Sequence, residues 1–383
     1  MNQRIARAAL VAAAIGIIAA APAPQQKPAG RPAATRQSAG GVEAQLQTYA
    51  LHFLSWDPES RITVTKSSER LPGMQGYKVV RKGRYEKLNI DRVYYVSDDG
   101  RWFFEGDSVT NPAPRPIRSA ADLGWVGEKI SAVFRTKVMP QLAPERDAAP
   151  YRGVNVAIET GYGVVKLPGY VSADGSRFLQ GVFWDFRADP REERRRHIDL
   201  SAGRASGKPE AAVSIVEYAD MECGYCKMRG LQMDRLLEAN AGIVNARRHY
   251  KFFPLWFGHV WAMKAASAGD CIFKSAGAAP FFRFKEQVYA RQESMTVSGI
   301  DELAVSTAGA EGISSADFLA CYLQEPSFSR IRHEIAEGYR MGVNSTPTYF
   351  IDGTQITWTE DKVMEDFLRT LFPKTKSINY GGK

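Results

Sequence analysis

Cysteine is scarce in this chain: there are four in 383 residues, and none precedes Cys223. No thiol near the N-terminus is available for a lipoprotein anchor. The region from 42 to 187 also has no metal-ligand spacing and no phosphate-binding glycine loop, so nothing in it points to catalysis. Long hydrophobic runs are missing as well, since the run Ala8–Ala21 falls short of the roughly 20 residues that span a bilayer. Nor does one sign of charge dominate. Fifty Lys and Arg against 42 Asp and Glu leave a net charge of +8, a mild excess that falls by two if Arg4 and Arg7 are removed with a leader. The densest cluster, Arg191 to His197, mixes both signs beside an apparent linker. It reads as a solvated connecting segment, and no nucleic-acid partner is expected.

What is present is an ordinary globular composition, 44% hydrophobic and 24% charged, in a chain long enough for two or three domains. Arg4 and Arg7 ahead of the short apolar run predict a signal peptide over 1–23. Each small-residue triplet there, Ala19-Ala20-Ala21 and Ala21-Pro22-Ala23, is followed by a proline, which leaves an uncleaved anchor as the alternative. Residues 24–41, rich in Pro, Ala, Gln and Gly, read as a flexible linker. Export to an oxidising compartment, periplasmic or otherwise extracytoplasmic, suits an even number of cysteines.

Residues 42–187 read as an α+β region containing one unit twice, over 42–115 and 120–187. Val96-Ser97-Asp98-Asp99-Gly100 recurs 75 residues later as Val171-Ser172-Ala173-Asp174-Gly175, each a hairpin signal leading to an apolar strand and a glycine. A helix is expected ahead of each, at Val42–Trp56 and Ala120–Met139, packed on a small antiparallel sheet. Residues 188–209, which are hydrophilic, are expected to link this region to a second domain over 210–375, with a tail over 376–383.

In the second domain, Cys223-Gly224-Tyr225-Cys226 lies between the strand-like Ala212–Tyr218 and the helix-forming Lys227–Glu238. A cysteine at a helix N-terminus faces unpaired amides and the positive end of the helix dipole, which favour a thiolate. Cys223 is therefore the expected nucleophile. Cys226, one turn deeper, is placed to resolve a mixed disulfide.

The stretch Val216–Cys226, the segment Arg248–Leu255 with His259 after it, and Gly342–Gly353 together resemble the DsbA-like branch of the thioredoxin superfamily, from about Ala211 to Phe372. The resemblance implies a thioredoxin fold with a helical insertion. Local patterns agree: Asp352-Gly353 marks a hairpin between Thr348–Ile351 and Gln355–Thr357, and Thr359 is the expected cap of a final helix carrying Val363, Phe367 and Leu371. By resemblance, Pro347 follows a cis bond, Thr346 and Pro347 shape the client groove, and Glu217 is a buried carboxylate able to take the Cys226 proton. His259 is a helix-start histidine with a structural hydrogen bond. Some members of this branch carry a second, non-catalytic disulfide, which Cys271 and Cys321 would supply; zinc held by all four sulfurs is the rival.

The resemblance implies thiol:disulfide interchange without a cofactor, acting on unfolded or misoxidised client proteins and reset by a membrane redox partner. The Gly-Tyr dipeptide and Thr346 resemble dimeric isomerases and allow a homodimer, whereas the second cysteine pair and the helical segment resemble monomeric oxidases. Isomerase stands slightly ahead. A binding or chaperone-like N-terminal module serving one dedicated partner is the other class of reading.

Overall fold

Leu46, Tyr49, Ala50 and Phe53 recur at helical spacing, and in the computed structural model, which describes residues 41–201 and 203–380, they line the buried face of helix α1 (Val42–Leu54). The Tyr49 and Phe53 rings both meet Phe103, Tyr49 also meets Phe186, and Phe53 also meets Trp184. The expected signal peptide and all but the last residue of the linker lie outside the described residues. Among the described residues no helix is long and apolar enough to cross a membrane.

After α1 come four strands, β1 (Arg61–Leu71), β2 (Met74–Lys82), β3 (Ile90–Ser97) and β4 (Trp102–Thr110). A second series follows: α2 (Gly124–Phe134), β5 (Val138–Leu142), β6 (Tyr151–Thr160), β7 (Gly163–Ser172) and β8 (Arg177–Asp185). Each half is a helix and an antiparallel meander. The two meanders join by their last strands into one eight-stranded sheet, ordered β1-β2-β3-β4-β8-β7-β6-β5. The repeated turns are built alike, with the Ser97 hydroxyl on Asp99 at 2.5 Å and the Ser172 hydroxyl on Asp174 at 2.5 Å. At the centre Gly106 pairs with Gly181. A Cβ on either would lie 2.0 Å from a carbonyl oxygen of the opposite strand, so only glycine fits.

The second helix is shorter than its sequence predicts. It stops at Phe134, where Arg135 takes a left-handed φ of 53°, and Met139 lies in the edge strand β5. The apolar residues Val138 and Met139 continue the hydrophobic pattern but bury their backbone polar groups in pairing with β6.

The hydrophilic stretch 188–209 is not a solvated connector. Its helix α3 (Pro190–His197) buries Arg194 completely. The Arg194 guanidinium lies over Phe53 at 4.2 Å, Trp184 at 5.2 Å and Phe350 at 5.7 Å, so one cation is clasped by rings from both halves of the chain. Arg195 pairs with Asp352 at 3.0 Å. Beyond α3, Arg204 is buried against Asp270 and Glu334, and β9 (Ala205–Ser206) adds to the second sheet.

That sheet has the order β13-β12-β10-β11-β9. Strand β10 (Val213–Ala219) runs parallel to β11 (Ala246–Phe252), with α4 (Gly224–Ala239) as the crossover, and antiparallel to β12 (Thr348–Ile351). Between β11 and β12 lies the helical insertion: α5 (Ala262–Ala276), α6 (Ala278–Arg291), α7 (Val297–Ala310), α8 (Ser315–Cys321) and α9 (Glu325–Arg340). β13 (Thr354–Ile356) and α10 (Val363–Leu371) complete a thioredoxin fold. Asp352 and Gly353, with φ of 50° and 81°, make the expected hairpin turn. Thr359 does not cap α10, which is preceded by Lys362. The tail folds back, with the Lys376 amide donating to Asn240 at 2.6 Å. One continuous apolar core holds Phe53 of α1 and Phe103 and Trp184 of the first sheet together with Val216, Tyr218 and Phe350 of the second.

Candidate functional site

Strand β10 ends at Ala219, and the turn Asp220-Met221-Glu222 delivers Cys223 to the N-cap of α4 with extended backbone, φ −75° and ψ 118°. Gly224 then starts the helix, which carries Cys226 inward while Tyr225 stays 70% exposed. Both cysteines are free thiols. Cys226 is inaccessible and Cys223 is 7% exposed.

The two sulfurs differ in acidity. The Cys223 pKa falls from the usual 9.0 to about 6, chiefly through hydrogen bonding from the Cys226 thiol, with help from Thr346 and the Cys226 amide and against burial and the Asp220 charge. Cys226 moves well upward, first because it is buried and then because Cys223 draws on its proton. At neutral pH the outer sulfur is a thiolate and the inner one holds its proton.

The loop before β12 closes over this pair. Thr346-Pro347 is a cis peptide bond, and the Cys223 sulfur lies 3.5 Å from the Thr346 carbonyl oxygen. Thr346 and Pro347 therefore border the nucleophile.

Glu217 is buried on β10, and its carboxylate is fully engaged. Arg248 donates to it at 2.6 and 3.0 Å, and the Tyr349 hydroxyl at 3.0 Å. Arg248 also reaches Asp234. Glu217 and Cys226 both act on the buried hydroxyls of Tyr250, Tyr289 and Tyr349, whose pKa values burial raises well above normal. Those three hydroxyls lie in the field of both groups.

Three further residues were not singled out from the sequence. Asp220 donates its amide to Cys226 Sγ at 3.4 Å, and its carboxylate takes the Leu255 amide at 2.7 Å and His259 Nδ1 at 2.6 Å. Glu222 accepts the Val260 and Trp261 amides at 3.0 and 2.7 Å. Gln292, at the end of the second insertion helix, donates to the Met221 and Cys223 carbonyls at 2.8 and 3.1 Å. Asp220 and Glu222 stand inside the CxxC segment and were legible as short-range polar groups. No local signal marks Gln292, 69 residues from Cys223. His259 lies in the loop ahead of α5, bonded to Asp220.

Cys271 and Cys321 form a disulfide across 50 residues, joining α5 to α8. Their sulfurs are consumed by that bond, and the neighbouring Asp270 is paired with Arg204 at 3.3 Å and Arg330 at 2.5 Å, which leaves no donor set for zinc there.

Residues 200–371 match the family model described as Thioredoxin. Among curated proteins, the Na(+)/H(+) antiporter NhaA 1 of Mycobacterium sp. strain KMS is 27% identical over 168 residues, covering 41% of this chain and 25% of the antiporter. The NhaA antiporter of Herminiimonas arsenicoxydans is 24% identical over 169 residues, covering 43% and 24%. The chain thus spans about a quarter of the length of these relatives. Solved structures with a similar fold include α-DsbA1 of Wolbachia pipientis, with TM-score 0.40, 19% identity and coverage of 48% of this chain and 96% of that one. BdbD from Bacillus subtilis gives 0.38, 19%, 46% and 94%. ScsC of Proteus mirabilis gives 0.39, 18%, 48% and 77%.

Proposed function

Residues 200–371 form a thioredoxin-superfamily domain with the helical insertion of the DsbA-like branch, and from that premise we propose that the chain is an exported thiol:disulfide interchange protein acting on folding extracytoplasmic clients. The observation that carries this reading is the split between a thiolate at Cys223 and a protonated thiol at Cys226. The Cys223 thiolate attacks one sulfur of a client disulfide. That bond breaks, a Cys223–client disulfide forms, and the second client sulfur leaves as a thiolate. A client thiol then reattacks, which isomerises the client, or Cys226 loses its proton and attacks Cys223, which releases a reduced client and leaves the Cys223–Cys226 disulfide. Glu217, through the tyrosines it shares with Cys226, is the proposed acceptor for that proton.

No cofactor enters these steps. The oxidised or reduced pair is reset by a membrane redox partner, a reductant for an isomerase. Tyr225 and Val260, on the two segments that flank Cys223, are 70% and 66% exposed and suit an unfolded, apolar client segment. A homodimer would use the outer strands β1 or β5, the two unpaired edges of the large sheet.

Recovery of native disulfides from a scrambled substrate in glutathione buffer, with Cys223→Ser as control, tests the proposal. Recovery lost in the variant establishes isomerase action. Rapid oxidation of the reduced substrate without isomerisation makes the protein an oxidase, and failure in both assays overturns the reading in favour of a binding module with a dedicated partner.

A further inference from the structure

The loop between β11 and α5 is fastened to the CxxC turn on one side and to the N-terminal half on the other. On the inner side, Asp220 holds the Leu255 amide and His259 Nδ1, and Glu222 holds the Val260 and Trp261 amides. On the outer side, Phe134, the last residue of α2, stacks on Trp256 with centroids 5.2 Å apart and planes at 22°, and Phe257 meets the Phe134 ring edge-on at 6.0 Å.

Asp220 is the group that makes this fastening matter to the chemistry. Its side chain is fully buried, its amide touches the Cys226 sulfur, and its negative charge opposes ionisation of both Cys223 and Cys226. His259, whose side chain is 26% exposed, is the cation set against that charge. Burial disfavours its imidazolium, but the hydrogen bond and charge of Asp220, with the charges of Glu222 and Cys223, raise its pKa above the usual 6.5. The charged groups facing His259 thus come from the CxxC turn and the N-cap of α4, while the α2 ring of Phe134 meets Trp256 and Phe257 of the same loop.

We propose that His259 is a positioning residue for thiol exchange, its imidazolium neutralising the Asp220 carboxylate beside the two cysteines, and that the N-terminal half holds it there through Phe134 and Trp256. The inference rests on the reading of Cys223 and Cys226 as an exchange pair. It gives the N-terminal half a part in the redox site besides any role in binding or assembly. Loss of the imidazolium leaves Asp220 uncompensated and raises the Cys223 pKa. Loss of the Phe134 ring frees the loop and moves the same quantity in the same direction by less.

The test is the rate of alkylation of Cys223 against pH in the reduced full-length protein, for the wild type, His259→Gln, Phe134→Ala and the double variant His259→Gln/Asp220→Asn. We expect alkylation of His259→Gln at the wild-type midpoint to be about threefold slower, Phe134→Ala to be slowed by less, and the double variant to return to the wild-type midpoint or below it. An unchanged midpoint in His259→Gln overturns the role of His259, and it does so whether or not Phe134→Ala folds. A normal midpoint in a folded Phe134→Ala overturns the role of the N-terminal half. Exchange assays on the wild type separate this inference from the function: a shifted midpoint in a protein that exchanges no disulfides upholds the positioning and rejects the function, and working exchange with an unmoved midpoint does the reverse.

Discussion

The Cys223 sulfur lies 3.5 Å from the carbonyl oxygen of Thr346, so a loop 123 residues away in sequence covers the nucleophile. The Thr346 side chain lowers the pKa of the same sulfur, and its buried hydroxyl has no other hydrogen-bond partner among the described residues. Replacing Thr346 by Val keeps the carbonyl and the shape but removes the hydroxyl. A hydrogen bond to a charged group contributes about 1.5 kcal/mol, so the Cys223 pKa should rise by about one unit. Ultraviolet titration of the thiolate measures this; a midpoint that stays near 6 denies the hydroxyl its role.

His249 on β11 is almost inaccessible, and its pKa falls from 6.5 to about 4, by desolvation first and then by the charges of Arg247 and Lys251. The unfolded chain takes up a proton there below about pH 6.5 whereas the folded chain waits until about pH 4, so folding stability is lost as pH falls through that window. His259 has the opposite sign, since its raised pKa adds stability on the acid side. His249→Gln should flatten the acid limb of the stability curve between pH 6.5 and 4, by on the order of 2 kcal/mol. Urea denaturation at stepped pH checks it, and a parallel curve for the variant contradicts it.

The Cys271–Cys321 bond closes a separation of 50 residues in the helical insertion. On the chain-entropy argument its removal costs about 4 kcal/mol. The variant Cys271→Ala/Cys321→Ala should therefore melt at a lower temperature while Cys223 keeps its low pKa, because the groups that set that pKa lie on the CxxC turn and the cis-proline loop. Calorimetry and thiolate titration together decide; a shifted Cys223 with unchanged melting reverses the assignment.

Gly181 faces Gly106 at the seam between the repeated halves, with φ of 154° and a carbonyl 2.0 Å from where a Cβ would stand. Gly181→Val should cost about 2–4 kcal/mol by strain and overpacking. Gly100→Ala is the control at an open turn, where nothing lies within 4 Å and only its left-handed φ of 65° is strained. Equal losses in the two variants, read by denaturant titration, would count against a tightly closed seam.

The thioredoxin half was legible because its chemistry is local in sequence. The CxxC pair, the Asp352-Gly353 turn and the helical insertion each carry a pattern within a few residues, and the repeat showed itself through two similar Ser-x-Asp-Gly turns. What escaped depends on partners far along the chain. Arg194 looks solvated among like residues, and only the rings of Phe53, Trp184 and Phe350 make its burial tolerable. The apolar pattern of α2 runs on past Phe134 into β5, and pairing with β6 overrides it. The resemblance implies the burial of Glu217, but its two contacts with Arg248 come from the neighbouring strand and leave no mark in its own.

Trapping the mixed disulfide tests the central claim most directly. Cys226→Ala should attack a client disulfide through Cys223 and, lacking the resolving thiol, accumulate a covalent complex that survives denaturation and dissolves in reductant. The same complex should be absent with Cys223→Ala. No complex with Cys226→Ala, or one that forms equally with Cys223→Ala, contradicts the assignment of Cys223 as the attacking sulfur.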